Sequence, residues 1–167
     1  MPEKETLERA RRDKREGKAA TTQAGEFIRE EIHHIREGKH GARSAKQAIA
    51  IGLSKARRAG VELPPPAKGH ASEKTRRTAR RAYARGHGAP PLTTPSAKRS
   101  RATTRALKRE GHSAASSIAL ARQTHSAAAK RSKQQRSAAA TKAAHTKGAT
   151  GRSAAAEKAA RTRAARS

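Results

Sequence analysis

The sequence predicts an all-α protein: a short helical hairpin followed by marginal helices in a largely disordered basic arm. Charge is the first reason, because residues 74–167 carry 24 basic and two acidic residues, which is +22 of the net charge of +27. Large apolar residues show the opposite bias, since nine of the 16 lie between Phe27 and Leu63. Alanine, the strongest helix former, supplies 39 further residues but little apolar area. These observations predict a small folded segment and a polycationic arm.

Residues 1–20 are predicted to form a charged N-terminal helix that ends near Gly17. Leu7 is its single large apolar residue after Met1, so we expect this helix to be marginal and solvated. Ion pairs between residues four apart, such as Glu5 with Arg9, support it on its exposed surface.

The helical hairpin is predicted over residues 21–63. Its first helix carries an apolar stripe, because Ile28, Ile32 and Ile35 recur at helical spacing. Gly38 is the expected end of this helix, since glycine is favoured just after a helix C-terminus.

The second helix of the hairpin is predicted to begin after Ser44, which can cap it, and to end at Gly60. Ala48, Gly52 and Ala56 form a row of small residues on this helix. Such a row allows a partner helix to approach closely.

Prolines, glycines and repeats divide the remaining chain into a Pro/Gly linker with a short basic helix (64–95), a basic helical segment (96–135) and an Ala/Lys/Arg repeat tail (136–167). Residues 136–147 match residues 152–163 at an offset of 16. The second half contains a weaker echo of the hairpin around Gly111, with Leu107, Ile118 and Leu120 as its reduced core, although an Ala/Arg-rich sequence also produces such likeness by chance. Like-charge repulsion leaves these helices marginal in water, and phosphate would remove the repulsion.

A polycation with high helix propensity is typical of a protein that binds nucleic acid. Arginine grips phosphate bidentately, and each neutralised phosphate releases counterions. Asn is absent and the aromatic residues are Phe27 and Tyr83, so the sequence offers no stacking platform for single strands. We therefore expect a duplex backbone, DNA or RNA, bound with little sequence preference. The residues expected to bind it are Arg76, Arg77, Arg80, Arg81, Arg85, Lys98, Arg99, Arg101, Arg105, Lys108, Arg109, Lys130, Arg131, Lys133, Arg136, Lys142, Lys147, Arg152, Lys158, Arg161, Arg163 and Arg166.

A weaker phosphate site is predicted in the hairpin loop, where Lys39, Arg43 and Lys46 surround the start of the second helix. Backbone amides at a helix N-terminus and nearby cations together suit one phosphate. An ordinary capped turn explains the same residues equally well.

The sequence predicts no metal site and no cofactor. His33 and His34 are adjacent and point about 100° apart on a helix, so they do not readily share one ion. Glu30 and His34 are four residues apart, but one carboxylate and one imidazole make a weak ligand set.

Several classes of protein are not expected. Cysteine is absent, which excludes disulfides and thiolate chemistry. No stretch approaches 18 apolar residues and the N-terminal 18 residues have no apolar core, so neither a membrane span nor a secretory signal is expected. No nucleophile, base and acid form a recognisable set, so an enzyme is not expected either.

The segments Ala24–Ile32, Ile35–Ser44 and Lys46–Gly60 carry a resemblance. They look like a family of small basic bacterial proteins of unknown function, whose members are often labelled DNA-binding or plasmid-stabilisation proteins. The resemblance implies a bacterial, cytoplasmic setting. The tail is similar in composition to histone-like proteins, without the winged-helix core of linker histones.

Taken together, these features predict a non-enzymatic, histone-like protein of the bacterial nucleoid that binds duplex DNA by neutralising phosphates. One alternative is an RNA-binding or ribosome-associated basic protein. The other is a plasmid-maintenance adaptor whose hairpin is the functional part. Self-association through the hairpin is compatible with each.

Overall fold

The computed structural model of the chain describes residues 2–90 and 96–165, so Arg166 and the last five residues of the predicted linker lie outside it. The described residues are all-helical, as predicted, with no strand among them. The elements are α1 (Lys4–Arg15), α2 (Ala20–Arg36), α3 (Ala45–Arg58), α4 (Glu73–Gly86), α5 (Ala97–Arg109), a 3-10 turn (Ser113–Ala115), α6 (Ser117–Ala129) and α7 (Lys133–Ala164). They fall into two compact units, residues 1–123 and residues 124–167. No described helix has both the length and the apolar character needed to cross a bilayer.

Helix α1 packs against α2, and the prediction of a solvated N-terminal helix is wrong. Thr6 and Ala10 are buried, and their small side chains let the two helices approach. The partly buried Leu7 packs against the apolar cluster around Phe27. An ion pair between Arg9 Nε and Glu26 Oε2, 2.6 Å apart, joins α1 to α2 at the edge of this contact.

Helices α2 and α3 form the centre of the first unit. The predicted stripe on α2 faces inward, with Ile32 and Ile35 buried and Ile28 partly buried. The small-residue row on α3 is confirmed, because a Cβ at Gly52 would lie 2.7 Å from Ile28 Cα. The close approach is therefore one of backbone to backbone, and the partner helix is α2 of the same chain.

Two apolar clusters make up the core of this unit. The first brings α1, α2 and α3 together around Phe27, which is completely buried. The second joins Ile32 and Ile35 to Ala114 and Ala115 of the 3-10 turn. The segment after α5, which the sequence placed in the arm, therefore completes the core of the hairpin.

The side chains that complete this core differ from those predicted. Ile118 is 63% exposed, and Leu120 packs only partly against the second cluster. Ala114 and Ala115 are buried instead, where the 3-10 turn packs against α2 and α3.

Backbone hydrogen bonds fasten this segment to the hairpin loop. Gly41 N–H donates to the Leu107 carbonyl over 2.9 Å, and Ala42 N–H donates to the Gly111 carbonyl over 3.1 Å. A Cβ at Gly41 would lie 1.8 Å from the Glu110 carbonyl oxygen, so the contact requires glycine. Arg36 Nε adds a bond of 2.9 Å to the Ala115 carbonyl.

A buried ion cluster joins α2 to α3. Lys55 Nζ of α3 lies 3.0 Å from Glu30 Oε1 and 2.7 Å from Glu31 Oε2 of α2, and both carboxylates are almost completely buried. Burial alone would lower the pKa of Lys55, but its contacts with the carboxylates of Glu31 and Glu30 outweigh it and raise the pKa. Burial alone would raise the pKa of Glu30, but Lys55, the Glu3 amide and Thr6 lower it. Lys55 and Glu30 therefore hold each other in the ionised form.

The arm is helical rather than largely disordered, which corrects the prediction made from its composition. A capping box at Ser132 and Gln135 starts α7, and alanine favours the helix that follows. Gly148 interrupts α7 with a φ of 64° and a ψ of −179°. Neither α5 nor α7 contains a buried residue, so no apolar core supports them, and α5 meets the hairpin through the Leu107 carbonyl, which accepts from Gly41 N–H.

Gly52→Ala is expected to destabilise the first unit by about 1–3 kcal/mol, because the new methyl overlaps the α2 backbone. Urea unfolding followed by circular dichroism measures this change. Gly25→Ala is the matched control on α2, where a Cβ meets nothing within 4 Å and removal of a helix glycine should stabilise by about 0.5–1 kcal/mol. Equal effects of the two substitutions would contradict the packing described here.

Lys55→Met is expected to destabilise the chain by about 3–5 kcal/mol, because it leaves two buried carboxylates without their cation. Arg58→Met serves as the control on the same helix, since Arg58 is exposed and its guanidinium reaches only the Ser54 carbonyl. Its effect should stay within about 0.5 kcal/mol. Thermal unfolding of both variants at neutral pH makes the comparison.

Candidate nucleic-acid interface

The predicted phosphate-binding arginines of α4 lie mostly on its solvent side. Ala79 and Ala82 are buried, and α4 packs against α3. Arg77, Arg80 and the other arginines away from this face are consequently exposed. The short alanine side chains hold α4 close to α3 and leave the arginines facing solvent.

Arg76 differs from its neighbours because it is half-buried. Its Nε donates to the Pro66 carbonyl over 3.2 Å, and its guanidinium pairs with Glu73. Arg76 therefore anchors the chain that precedes α4. Arg77, Arg80, Arg81 and Arg85 remain as the exposed cations of this helix.

The predicted cations of α5 are exposed and, among the described residues, unpaired with carboxylates. Lys98, Arg101 and Arg105 share one face, at helical spacing of three and four residues, and border a shallow depression together with Ala102. Arg99, Lys108 and Arg109 are exposed as well. Within the described part of the chain, none of these six cations forms an ion pair with a carboxylate.

The second unit carries the repeat tail as α7. The structure places the predicted cations of this unit on exposed positions: Lys130 and Arg131 before α7, and Lys133, Arg136, Lys142, Lys147, Arg152, Lys158, Arg161 and Arg163 within it. Gly148 lies between the two copies of the repeat. The two halves of α7 therefore present related patterns of charge, with Lys142 of the first corresponding to Lys158 of the second.

The weaker phosphate site is only partly assembled. Lys39 Nζ lies 3.1 Å from Glu37 and 3.2 Å from Glu3, and hydrogen bonds to these carboxylates raise its pKa. Arg43 is 82% exposed on its side chain and reaches Glu110 at 3.5 Å. Lys46 is exposed in the first turn of α3. Lys39 is therefore paired with carboxylates, whereas Arg43 and Lys46 of the predicted phosphate site face solvent.

The Ser44 cap is present, because its side chain accepts a hydrogen bond of 3.2 Å from Gln47 N–H. The structure thus contains the capped turn that the sequence offered as the alternative explanation. Capping satisfies one of the amides that would otherwise be free for a phosphate.

Sequence reasoning missed a cluster formed by Glu31, His34 and His40. One ligand atom from each lies within 4.8 Å of the others. The sequence analysis paired His34 with Glu30 at a spacing of four, whereas the fold pairs it with Glu31 at a spacing of three and adds His40 from the loop. The signal available in the sequence was a further histidine, His40, two residues beyond Gly38 at the end of the helix.

A small polar cluster attaches the end of α4 to the chain after α3. Tyr83 Oη donates to Glu62 Oε2 over 2.7 Å, and His87 Nε2 lies 3.0 Å from Glu62 Oε1. The Tyr83 and His87 rings stack with centroids 4.0 Å apart. A hydrogen bond to the Tyr83 carbonyl, followed by one to Glu62, raises the pKa of His87.

These observations define an all-helical protein with exposed cations on α1 and, without a packed face in α5 and α7, along the basic helices α4, α5 and α7. Residues 13–67, from the end of α1 through α3 to the proline-rich segment, match the model of a family of unknown function (DUF6496). That part of the predicted resemblance is confirmed. No curated protein and no solved structure matches the chain.

Glu62→Gln is expected to lower the pKa of His87 toward its ordinary value of about 6.5, because one of the two interactions that raise it is lost. A raised pKa means that this contact stabilises the fold below the ordinary pKa and weakens as the pH rises through the folded pKa. Histidine ring signals followed by NMR across the pH range give the value directly. Glu73→Gln is the control, since Glu73 pairs with Arg76 on the same helix. An unchanged His87 titration in Glu62→Gln would refute this account.

Proposed function

We propose that this protein binds duplex DNA without sequence preference, by neutralising phosphates, as a histone-like component of the bacterial nucleoid. The observation that carries the proposal is the contrast between two sets of cations. Several of those in the first 63 residues, such as Arg9, Lys18 and Lys55, are paired with carboxylates. Those of α5 are exposed and have no such partner among the described residues.

An exposed cation without a partner is available to a phosphate at little energetic cost. A paired cation must first give up its carboxylate, so the paired cations among the first 63 residues contribute less to binding than their number suggests. Arginine, which predominates on α4 and α5, adds bidentate hydrogen bonds to phosphate oxygens. Ten such contacts would give a slope of roughly −9 in log K against log salt.

The positions of the two aromatic residues favour a duplex over single strands. Phe27 is completely buried in the core. Tyr83 stacks on His87 and donates its hydroxyl to Glu62. Neither ring is free to stack on an unpaired base, which is the usual anchor for single-stranded nucleic acid.

A second candidate is the adaptor whose hairpin is the functional part. One observation favours it, because the family match covers residues 13–67 and excludes α4, α5 and α7. In that case the basic helices would add only general attraction to polyanions.

The test is a binding titration with labelled duplex DNA over a series of salt concentrations. Substituting Lys98, Arg101 and Arg105 by Gln should reduce the magnitude of the salt slope by about 2–3. The control replaces three exposed cations of α1, Lys4, Arg11 and Arg15, which changes the net charge equally. Weakening of the same size in both would show that α5 is not a contact surface.

Two further measurements separate the candidates. A chain ending at Ala129 lacks α7 but keeps Ala114 and Ala115 in the core. It should lose most of its DNA affinity under the proposal and retain it if the hairpin is the functional part. Competition with structured RNA gives the other comparison, and a clear preference for RNA would exclude the nucleoid function.

A further inference from the structure

The cluster of Glu31, His34 and His40 lies where α2 ends and the hairpin loop begins. Glu31 and His34 stand three residues apart on α2, and His40 follows in the loop. One donor atom from each residue lies within 4.8 Å of the others, which places two imidazoles and a carboxylate around a common point.

The Glu31 carboxylate is buried and incompletely satisfied. Its side chain is 1% exposed, and neither oxygen accepts a hydrogen bond of good geometry. Lys55 Nζ is 2.7 Å from Oε2 and balances charge there, while Oε1 faces His40 Nε2 at 3.2 Å. A buried carboxylate oxygen without a well-aligned donor is costly, and a metal ion supplies the missing partner.

The hydrogen bond at Nδ1 of His40 helps to determine whether Nε2 of the same ring presents a proton or a lone pair to Glu31. Nδ1 lies 3.0 Å from the Gly41 carbonyl, which can only accept, so Nδ1 carries a proton. When the ring is neutral, Nε2 presents a lone pair toward the carboxylate, and two acceptors at 3.2 Å repel each other unless a metal ion or a second ring proton lies between them. Two ligands about 2.0–2.1 Å from a tetrahedral zinc ion are about 3.3 Å apart, close to this separation.

His34 has the corresponding support. Its Nε2 lies 2.8 Å from Glu3 Oε1, so donation to that carboxylate leaves the Nδ1 lone pair for an ion. Metal-binding histidines commonly donate their second ring nitrogen to a carboxylate or a backbone carbonyl, and His34 and His40 show one case of each. The two rings meet edge to face, with centroids 6.3 Å apart.

The charge around the cluster also suits a cation, although the chain is strongly basic. The groups in ion-pair contact with the three ligands or with their partners are the carboxylates of Glu3 and Glu30 and the ammonium groups of Lys39 and Lys55. With Glu31 itself, carboxylates outnumber ammonium groups by three to two. The local field therefore opposes the net charge of the molecule.

We propose that Glu31, His34 and His40 bind one divalent transition-metal ion, with Zn²⁺ as the best match to two nitrogen donors and one oxygen donor. Three protein ligands leave a fourth position for water. The bound ion ties the hairpin loop to α2, beside the point where residues 107–111 dock on Gly41 and Ala42. It thus stabilises the attachment of the arm segment to the core, independently of nucleic-acid binding.

The experiment uses the full chain freed of metal by a chelator and titrated with ZnCl₂ in a calorimeter. We expect one ion per chain and an unfolding temperature that rises with Zn²⁺ concentration. CoCl₂, a spectroscopic probe, should give d–d absorption that Zn²⁺ displaces. No saturable binding at micromolar Zn²⁺, or a stoichiometry that does not include one tight site, would overturn the proposal.

Variants locate the ion. His34→Ala and His40→Ala should each lower the Zn²⁺ affinity at least about tenfold. His33→Ala is the matched control, because His33 is the exposed neighbour on the same helix and should leave the affinity unchanged. Unchanged affinity in His40→Ala, or an equal loss in His33→Ala, would place the ion elsewhere and overturn the assignment.

A measurement on the unaltered chain keeps the proposal testable if a variant fails to fold. Histidine ring nitrogen signals in NMR should shift for His34 and His40 on addition of one equivalent of ZnCl₂, while those of His33 stay in place. Shifts confined to other histidines would overturn the proposal. DNA affinity measured with and without Zn²⁺ distinguishes this site from the proposed function, since the two can fail separately.

Discussion

The ion cluster of Lys55 with Glu30 and Glu31 is the interaction on which the first unit depends most. A core made of a few isoleucines, one phenylalanine and several alanines buries little area, so the way in which α2 meets α3 is not determined by apolar packing alone. A buried lysine that requires two carboxylates at about 3 Å permits few alternative registers of the two helices. Specificity of pairing is thereby supplied by charges, a use that is well attested for buried polar groups in helical proteins.

The remaining architecture follows from how closely the backbones come together around this cluster. At Gly52 and at the 3-10 turn, glycine and alanine replace the large side chains that a bigger core would use. Charges that lie near the cluster are paired, whereas the cations of α5 are not. The boundary between cations that serve the fold and cations that the proposed function would use therefore lies between paired and unpaired ones. It does not coincide with the boundary between the N-terminal and C-terminal halves of the charge distribution.

The sequence predicted the helices well because their signals are local. The stripe of Ile28, Ile32 and Ile35, the Ser44 cap and the small-residue row on α3 can each be seen within a few residues. The contribution of Ala114 and Ala115 to the core could not be predicted, since a buried alanine and an exposed one look alike in a chain with 39 of them. The histidine cluster was missed for a related reason: the fold of the loop brings His40 back to α2, and no periodicity encodes that return.

The joint at Gly41 is made of main-chain atoms on both sides, with amides of the hairpin loop bonded to carbonyls at residues 107 and 111. Because these hydrogen bonds involve only backbone atoms, they depend on the backbone conformation and not on most of the side chains of this segment. The cations of α5 can therefore exchange, lysine for arginine or one position for the next, without loosening their attachment to the folded unit. Under the proposed function, a protein built this way changes its affinity for DNA by point substitution while its architecture stays the same.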